Sequence, residues 1–143
     1  MVKSKIDRRV RVLIVDDNRI YAETLGLLLG ADARIEIVGY AEDGAAGIEQ
    51  TLALRPDVVV MDIHMPLLDG IEATRQIRAR LRSMRVVVVT SSGTMGHRAH
   101  ALAAGAAAFL HKDAPLDELI AAVAGTPASS SAPARLQLRQ ASC

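Results

Sequence analysis

The stretch Val58-Val59-Val60-Met61-Asp62-Ile63-His64-Met65-Pro66 decides how the rest of the chain is read. Three β-branched residues and a methionine form a short continuous apolar run, the pattern of a strand buried on both faces of a parallel sheet. Met65-Pro66 ends the run, so one carboxylate, Asp62, stands just past the strand. In open parallel α/β sheets, ligands bind in the crevice beyond the carboxyl ends of the strands, where Asp62 falls. An aspartate after a strand can also do no more than cap the next helix, so its company decides between the two readings.

The same construction recurs on both sides. Val10 to Val15, interrupted only by Arg11, is an apolar run that ends in Asp16-Asp17-Asn18. Arg34 to Tyr40, with Ile35, Ile37 and Val38, reads as a short strand nearer a sheet edge. Arg85 to Val89 is a third buried strand and delivers hydroxyls, Thr90-Ser91-Ser92-Gly93. Ala107 to Leu110 is a final strand that delivers a cation in His111-Lys112-Asp113.

Helical patterns fill the intervals. Asn18 or Asp17 caps a helix whose Tyr21, Leu25 and Leu28 share a face and which Gly30 closes. Gly44 to Leu54 places Ala45, Ile48 and Leu52 on one face, and Arg55-Pro56-Asp57 breaks the chain before Val58. After Asp69-Gly70, Ile71, Thr74, Ile77 and Leu81 recur opposite Arg75, Arg78 and Arg82, a solvated basic face. Met95 to Ala104 reads as a weak alanine-rich helix stopped by Gly105. Pro115 suits the first position of a last helix, with Asp117 and Glu118 in its first turn and Leu116, Leu119, Ile120 and Val123 as its stripe.

Five strand-helix units in strict alternation predict an α/β fold, a doubly wound parallel sheet. Right-handed crossovers leave few topologies, among them the flavodoxin-like (βα)5 order 2-1-3-4-5. In that order the first and third strands are neighbours, which puts Asp16 and Asp17 beside Asp62.

A chain of 143 residues suits one domain with its own core. Half of its residues are hydrophobic but only Tyr21, Tyr40 and Phe109 are aromatic, so the core must be aliphatic. A formal net charge of +1 makes neither nucleic acid nor membrane the default partner. The single cysteine, Cys143, argues against an internal disulfide framework and fits a reducing compartment. Residues 1–9 form a basic extension with Lys3, Lys5, Arg8 and Arg9. The apolar run after it is cut short by Asp16 and Asp17, too soon for a signal-peptide core or a membrane span, so a cytoplasmic location is expected. Residues 125–143, rich in Thr, Pro, Ala and Ser, are expected to be disordered.

Strand ends thus bring three carboxylates, a threonine and a lysine to one rim. Crowded carboxylates repel one another unless a hard cation sits among them or some take up protons. Magnesium, which prefers oxygen ligands and often binds through one or two carboxylates plus a phosphoryl oxygen, is the natural candidate. The inventory suits phosphoryl transfer onto a carboxylate, which is mostly positioning and charge neutralisation.

Val15-Asp16-Asp17, Met61-Asp62 through Asp69-Gly70, Thr90-Ser91 and Lys112 resemble, in order and placement, the receiver domain of two-component response regulators over residues 10–124. The resemblance implies that Asp62 accepts a phosphoryl group from a phosphohistidine on a sensor histidine kinase or phosphotransfer protein. It implies that Asp17 holds Mg2+ directly, Asp16 does so through water or from behind, and the His64 backbone carbonyl completes the protein ligands with Asp62. Lys112 would pair with the phosphoryl group or, before transfer, with Asp62. Thr90 and Phe109 would form the switch, and His64 and Ser92 would tune phosphoryl lifetime. Output to an unknown downstream protein would appear on the face of the fourth and fifth helices and last strand, which would also carry any homodimer contact.

Two features depart from the family pattern. Asp113 follows the lysine where many receivers have proline, and Lys112-Asp113-Ala114-Pro115 resembles receivers of LuxR-type helix-turn-helix regulators, although fewer than twenty residues follow Ala124. The fourth helix opens on Gly93 and Gly96, each costing about 1 kcal/mol of helix stability relative to alanine. The reading is a stand-alone phosphoacceptor that contacts proteins and is no enzyme on a separate substrate. A receiver-like binding module independent of phosphorylation is the alternative. A haloacid-dehalogenase-like phosphatase would need Asp-x-Asp on its first strand, which Asp16-Asp17-Asn18 does not supply.

Overall fold

The computed structural model describes residues 8–91 and 95–125. Most of the expected basic extension, the expected tail after Gly125, and Ser92 to Thr94 lie outside the described residues. The elements alternate as β1 (Val10–Val15), α1 (Arg19–Gly30), β2 (Ile35–Ala41), α2 (Gly44–Leu54), β3 (Val58–Met61), α3 (Gly70–Arg80), β4 (Arg85–Thr90), α4 (Met95–Ala103), β5 (Ala108–His111) and α5 (Leu116–Ala124). The strands form one sheet in the order β2-β1-β3-β4-β5, every pair parallel. This is the doubly wound flavodoxin-like order read from the sequence.

The period of two along each strand divides the core into layers. Leu13, Val15, Val59, Met61, Val86 and Val88 face Ile48 of α2, Ala73 and Ile77 of α3, and Ala101 of α4. Val12, Ile14, Val58, Val60, Val87 and Val89 face Ala22, Leu25 and Leu29 of α1 and Leu119 and Val123 of α5. Burying such a side chain contributes about 1.5–3 kcal/mol, which makes the three central strands the rigid part of the domain. Among the described residues, no helix is long and apolar enough to cross a membrane.

The helix faces differ in detail from the sequence reading. On α1 the buried stripe is Ala22, Leu25, Gly26 and Leu29, whereas Leu28 is 47% exposed. A Cβ at Gly26 would stand 2.0 Å from the Tyr40 hydroxyl, so the glycine admits the ring of β2 against the helix. On α2 the buried residues are Gly44, Gly47, Ile48 and Thr51, and Ala45 is exposed. Small residues let the helix approach the sheet but carry no hydrophobic signal. Thr51 and Thr74 are buried because their hydroxyls donate to the carbonyls of Gly47 and Gly70, at 2.6 and 2.7 Å.

Caps match the local chemistry. Asn18, Asp43 and Asp69 accept from the N–H groups of Tyr21, Ala46 and Glu72 at 3.0, 2.8 and 2.9 Å. Pro115 stands at the N-cap of α5 rather than at its first position, a shift of one residue. The end of α1 also departs from expectation, since Ala31 caps it in the right-handed region and Gly30 is the last helical residue. No peptide bond among the described residues is cis.

The loop after β3 folds back tightly on Asp62. Ile63 O accepts from the N–H groups of Met65, at 3.0 Å, and Gly70, at 2.9 Å. A Cβ at Gly70 would stand 1.9 Å from the Asp62 carbonyl oxygen, so any side chain there must displace the Asp62 backbone. Gly70→Ala is expected to lower stability by about 1–3 kcal/mol, read from the denaturant midpoint. An unchanged midpoint would show that the loop gives way freely.

Candidate functional site

The site is built by continuing the sheet ladders one residue past the strands. Asp16 N–H donates to Ala41 O at 3.0 Å, and Asp62 N–H donates to Val15 O at 2.9 Å. Val15 and Met61 are register partners, so the two aspartates that follow them emerge side by side. Lys112 N–H donates to Thr90 O at 2.9 Å and likewise extends the β4–β5 pairing.

Carboxylate oxygens of Asp16, Asp17 and Asp62 lie within 4.8 Å of one another. Asp16 and Asp62 are 3% and 5% exposed, while Asp17 faces solvent. The Lys112 ammonium lies 2.8 Å from Asp16 Oδ2 and 3.6 Å from Asp62 Oδ1. Its shorter contact is therefore with Asp16, whereas the resemblance pairs it with Asp62. Asp16 Oδ1 also accepts from Asn18 N–H at 2.8 Å, so both Asp16 oxygens are engaged.

The balance of charge is visible at Asp62. Burial first, then the Asp16 charge, pushes its carboxyl up to about 6; Asp17 adds to the rise, while Lys112 and His64 oppose it. A raised folded-state pKa stabilises the fold fully below the ordinary value of 3.8, and that contribution is lost as pH rises through about 6. The ionised form held at neutral pH thus costs about 3 kcal/mol.

Such a nest fits a hard divalent cation: three carboxylates converge, the pocket carries excess negative charge, and Asp17 offers an exposed oxygen. Asp16, Asp17 and Asp62 are the side chains that could hold the ion.

The remaining predicted residues are distributed around this nest. Thr90, fully buried, ends β4 at the same rim. Phe109, half-buried on β5, packs on the α2–α3–α4 side of the core. The Arg98 guanidinium lies 6.0 Å from its ring centroid. His64 is exposed two residues beyond Asp62, with its ring against that of His97. Ser92 lies outside the described residues.

One site neighbour was not singled out from the sequence. The sequence pattern places Tyr21 on an apolar helix face, yet its half-buried ring lies 4.3 Å from the Lys112 ammonium. Burial and the charges of Asp16 and Asp62 push its phenol up to about 12, so it stays neutral. The usable signal was its spacing, one helical turn beyond Asp17.

An α/β sheet that delivers acids and a lysine to the carboxyl ends of its strands is a class many proteins share, and comparison with known proteins narrows it. The family model of the response regulator receiver domain matches residues 12–124. The chain therefore belongs to the response regulator receiver family. It is 40% identical over 140 residues to a protein-glutamate methylesterase/protein-glutamine glutaminase of Symbiobacterium thermophilum, covering 90% of this chain and 38% of that protein. It is 32% identical over 117 residues to the transcriptional regulatory protein DegU of Brevibacillus brevis, covering 82% of this chain and 50% of that protein. The chain thus spans half or less of the length of these two relatives.

Solved structures agree. The signal receiver domain of NarL from Mycobacterium tuberculosis superposes with a TM-score of 0.77 at 34% identity, covering 81% of this chain and 94% of that one. The response regulator domain of Thermotoga maritima CheB gives 0.72 at 30% identity, covering 84% and 99%.

A ring face held against a desolvated ammonium contributes about 0.5–2 kcal/mol. A double-mutant cycle with Tyr21→Leu and Lys112→Met, followed by denaturant unfolding, is expected to give a coupling in that range, with Tyr21→Phe close to wild type. Zero coupling would reduce Tyr21 to a packing residue.

Proposed function

We propose that residues 10–124 form a phosphorylatable receiver in which Asp62 carries the phosphoryl group. The observation that carries this reading is the convergence of Asp16, Asp17, Asp62 and Lys112 at adjacent strand ends. An Asp62 oxygen attacks the phosphorus of a phosphohistidine on a sensor histidine kinase or phosphotransfer protein. The P–O bond forms as the P–N bond breaks, and the imidazole leaves. An acyl phosphate remains on Asp62.

Bound Mg2+ supplies charge neutralisation at the phosphoryl oxygens. Asp17 and Asp62 would hold it, with Asp16 acting from behind and the His64 backbone carbonyl completing the set. The engagement of both Asp16 oxygens by Lys112 and Asn18, beside the exposed Asp17, supports that division of labour. Lys112, already between Asp16 and Asp62, would shift its ammonium toward a new phosphoryl oxygen.

Thr90 would turn its hydroxyl onto another phosphoryl oxygen, and Phe109 would follow by repacking. Having no hydroxyl, Phe109 would report the change through packing alone. Output would pass through α4, β5 and α5 to a downstream protein or a second copy of the chain. His64 and Ser92 would set how long the acyl phosphate lasts. On this reading residues 10–124 are a cytoplasmic phosphoacceptor, not an enzyme on a separate substrate. A phosphorylation-independent binding module is disfavoured because every charged residue of the site is retained.

Incubation with a small acyl phosphate and Mg2+, followed by intact mass, is the test. One phosphoryl group per chain is expected, dependent on Mg2+ and lost in Asp62→Asn. Absence of labelling under these conditions, or labelling that survives Asp62→Asn, would overturn the assignment.

A further inference from the structure

Three of the four histidines line one cleft of about 480 Å³. His64 comes from the loop after β3, and His97 and His100 stand one turn apart on α4. The His64 and His97 rings meet edge to face, their centroids 5.3 Å apart at 76°. Asp69, Glu72 and Arg75 of the α3 start share the cleft.

These neighbours already have partners. Asp69 caps α3, and Glu72 pairs with Arg75 and accepts from Gln76. The cleft is therefore a poor anion site, since its arginine is matched by carboxylates. Its distinctive content is imidazole.

We infer that this cleft is a binding site for a divalent transition metal ion of the zinc, nickel or copper class, ligated by His64, His97 and His100. Imidazole nitrogen suits these ions, whereas magnesium prefers hard oxygen, so the cleft and the acid nest would select different metals. Metal–nitrogen distances of about 2.0–2.1 Å place two ligand nitrogens roughly 3.3 Å apart. The His64 and His97 rings, 5.3 Å apart between centroids, must turn out of their edge-to-face contact for each to present a nitrogen to one ion. His100, exposed and three residues after His97, shares its face of α4 and can swing in as the third ligand.

An ion held there would tie the loop following Asp62 to the first turns of α4. Binding to the folded chain alone would raise its stability by mass action. The proposal does not depend on phosphorylation of Asp62.

The test titrates the untagged full chain, in a Cys143→Ser background and with saturating magnesium, with Zn2+ and with Co2+. One ion per chain is expected, together with a rise in Tm and visible Co2+ absorption bands of nitrogen ligation. Because losing even a partner outside the coordination shell costs about 10–100-fold in affinity, His97→Ala and His100→Ala should each weaken binding at least about tenfold. Imidazole 15N resonances of His64 should shift on adding Zn2+, a readout that needs no variant. Binding indifferent to the histidine substitutions, or abolished by magnesium or Asp17→Asn, would place the ion elsewhere and overturn the proposal.

Discussion

The domain depends on holding two buried carboxylates, Asp16 and Asp62, side by side against their mutual repulsion. The sheet does this with backbone bonds that side-chain repulsion cannot easily break: Asp16 is tied to Ala41 and Asp62 to Val15. Lys112 then supplies the compensating charge from the far edge strand. The compensation is partial: Asp62 stays well above its ordinary value first because it is buried, and then because Asp16 and Asp17 oppose the nearby ammonium. A site left with unbalanced negative charge has a standing preference for a cation, and that preference is why these three carboxylates could hold a metal ion.

Charge is also polarised along the strands in a way the helices explain. Helices that follow parallel strands begin at the carboxyl rim, where their positive ends soften the crowding of acids. Their carbonyl ends lie at the opposite rim, where arginines meet them. Arg11 donates to the carbonyls of Leu54 and Arg55 at 3.0 and 2.9 Å, and Arg85 donates to Ala122 O. The whole-chain net charge of +1 therefore says little about which end meets a partner.

How much was legible in the sequence follows from which residues announce themselves. Val12 to Val15, Val58 to Met61 and Val86 to Val89 are continuous apolar runs, so the buried strands and the acids after them could be read directly. Their order followed from alternation and handedness. Harder to read were contacts made by residues with mixed character. Glycine and threonine share the buried face of α2 with Ile48, whereas hydrophobic periodicity picks out Ile48 and Leu52 but also the exposed Ala45. Tyr21 looks apolar on a helical wheel, yet its ring lies beside a lysine ninety-one positions away. The preference of Lys112 for Asp16 over Asp62 depends on less than an ångström and has no trace in spacing. The histidine cleft was not legible, since His97 and His100 stand three apart in the sequence with no third ligand near them and only the fold brings His64 there.

The most direct test of the charge imbalance is the pH titration of the Asp62 side-chain carboxyl carbon by NMR, without and with Mg2+. A midpoint near 6 is expected without the ion, well above the ordinary 3.8, and a clear fall on adding it. A midpoint close to 3.8 without Mg2+, or one that Mg2+ does not move, would contradict the picture of an acidic nest in need of a cation.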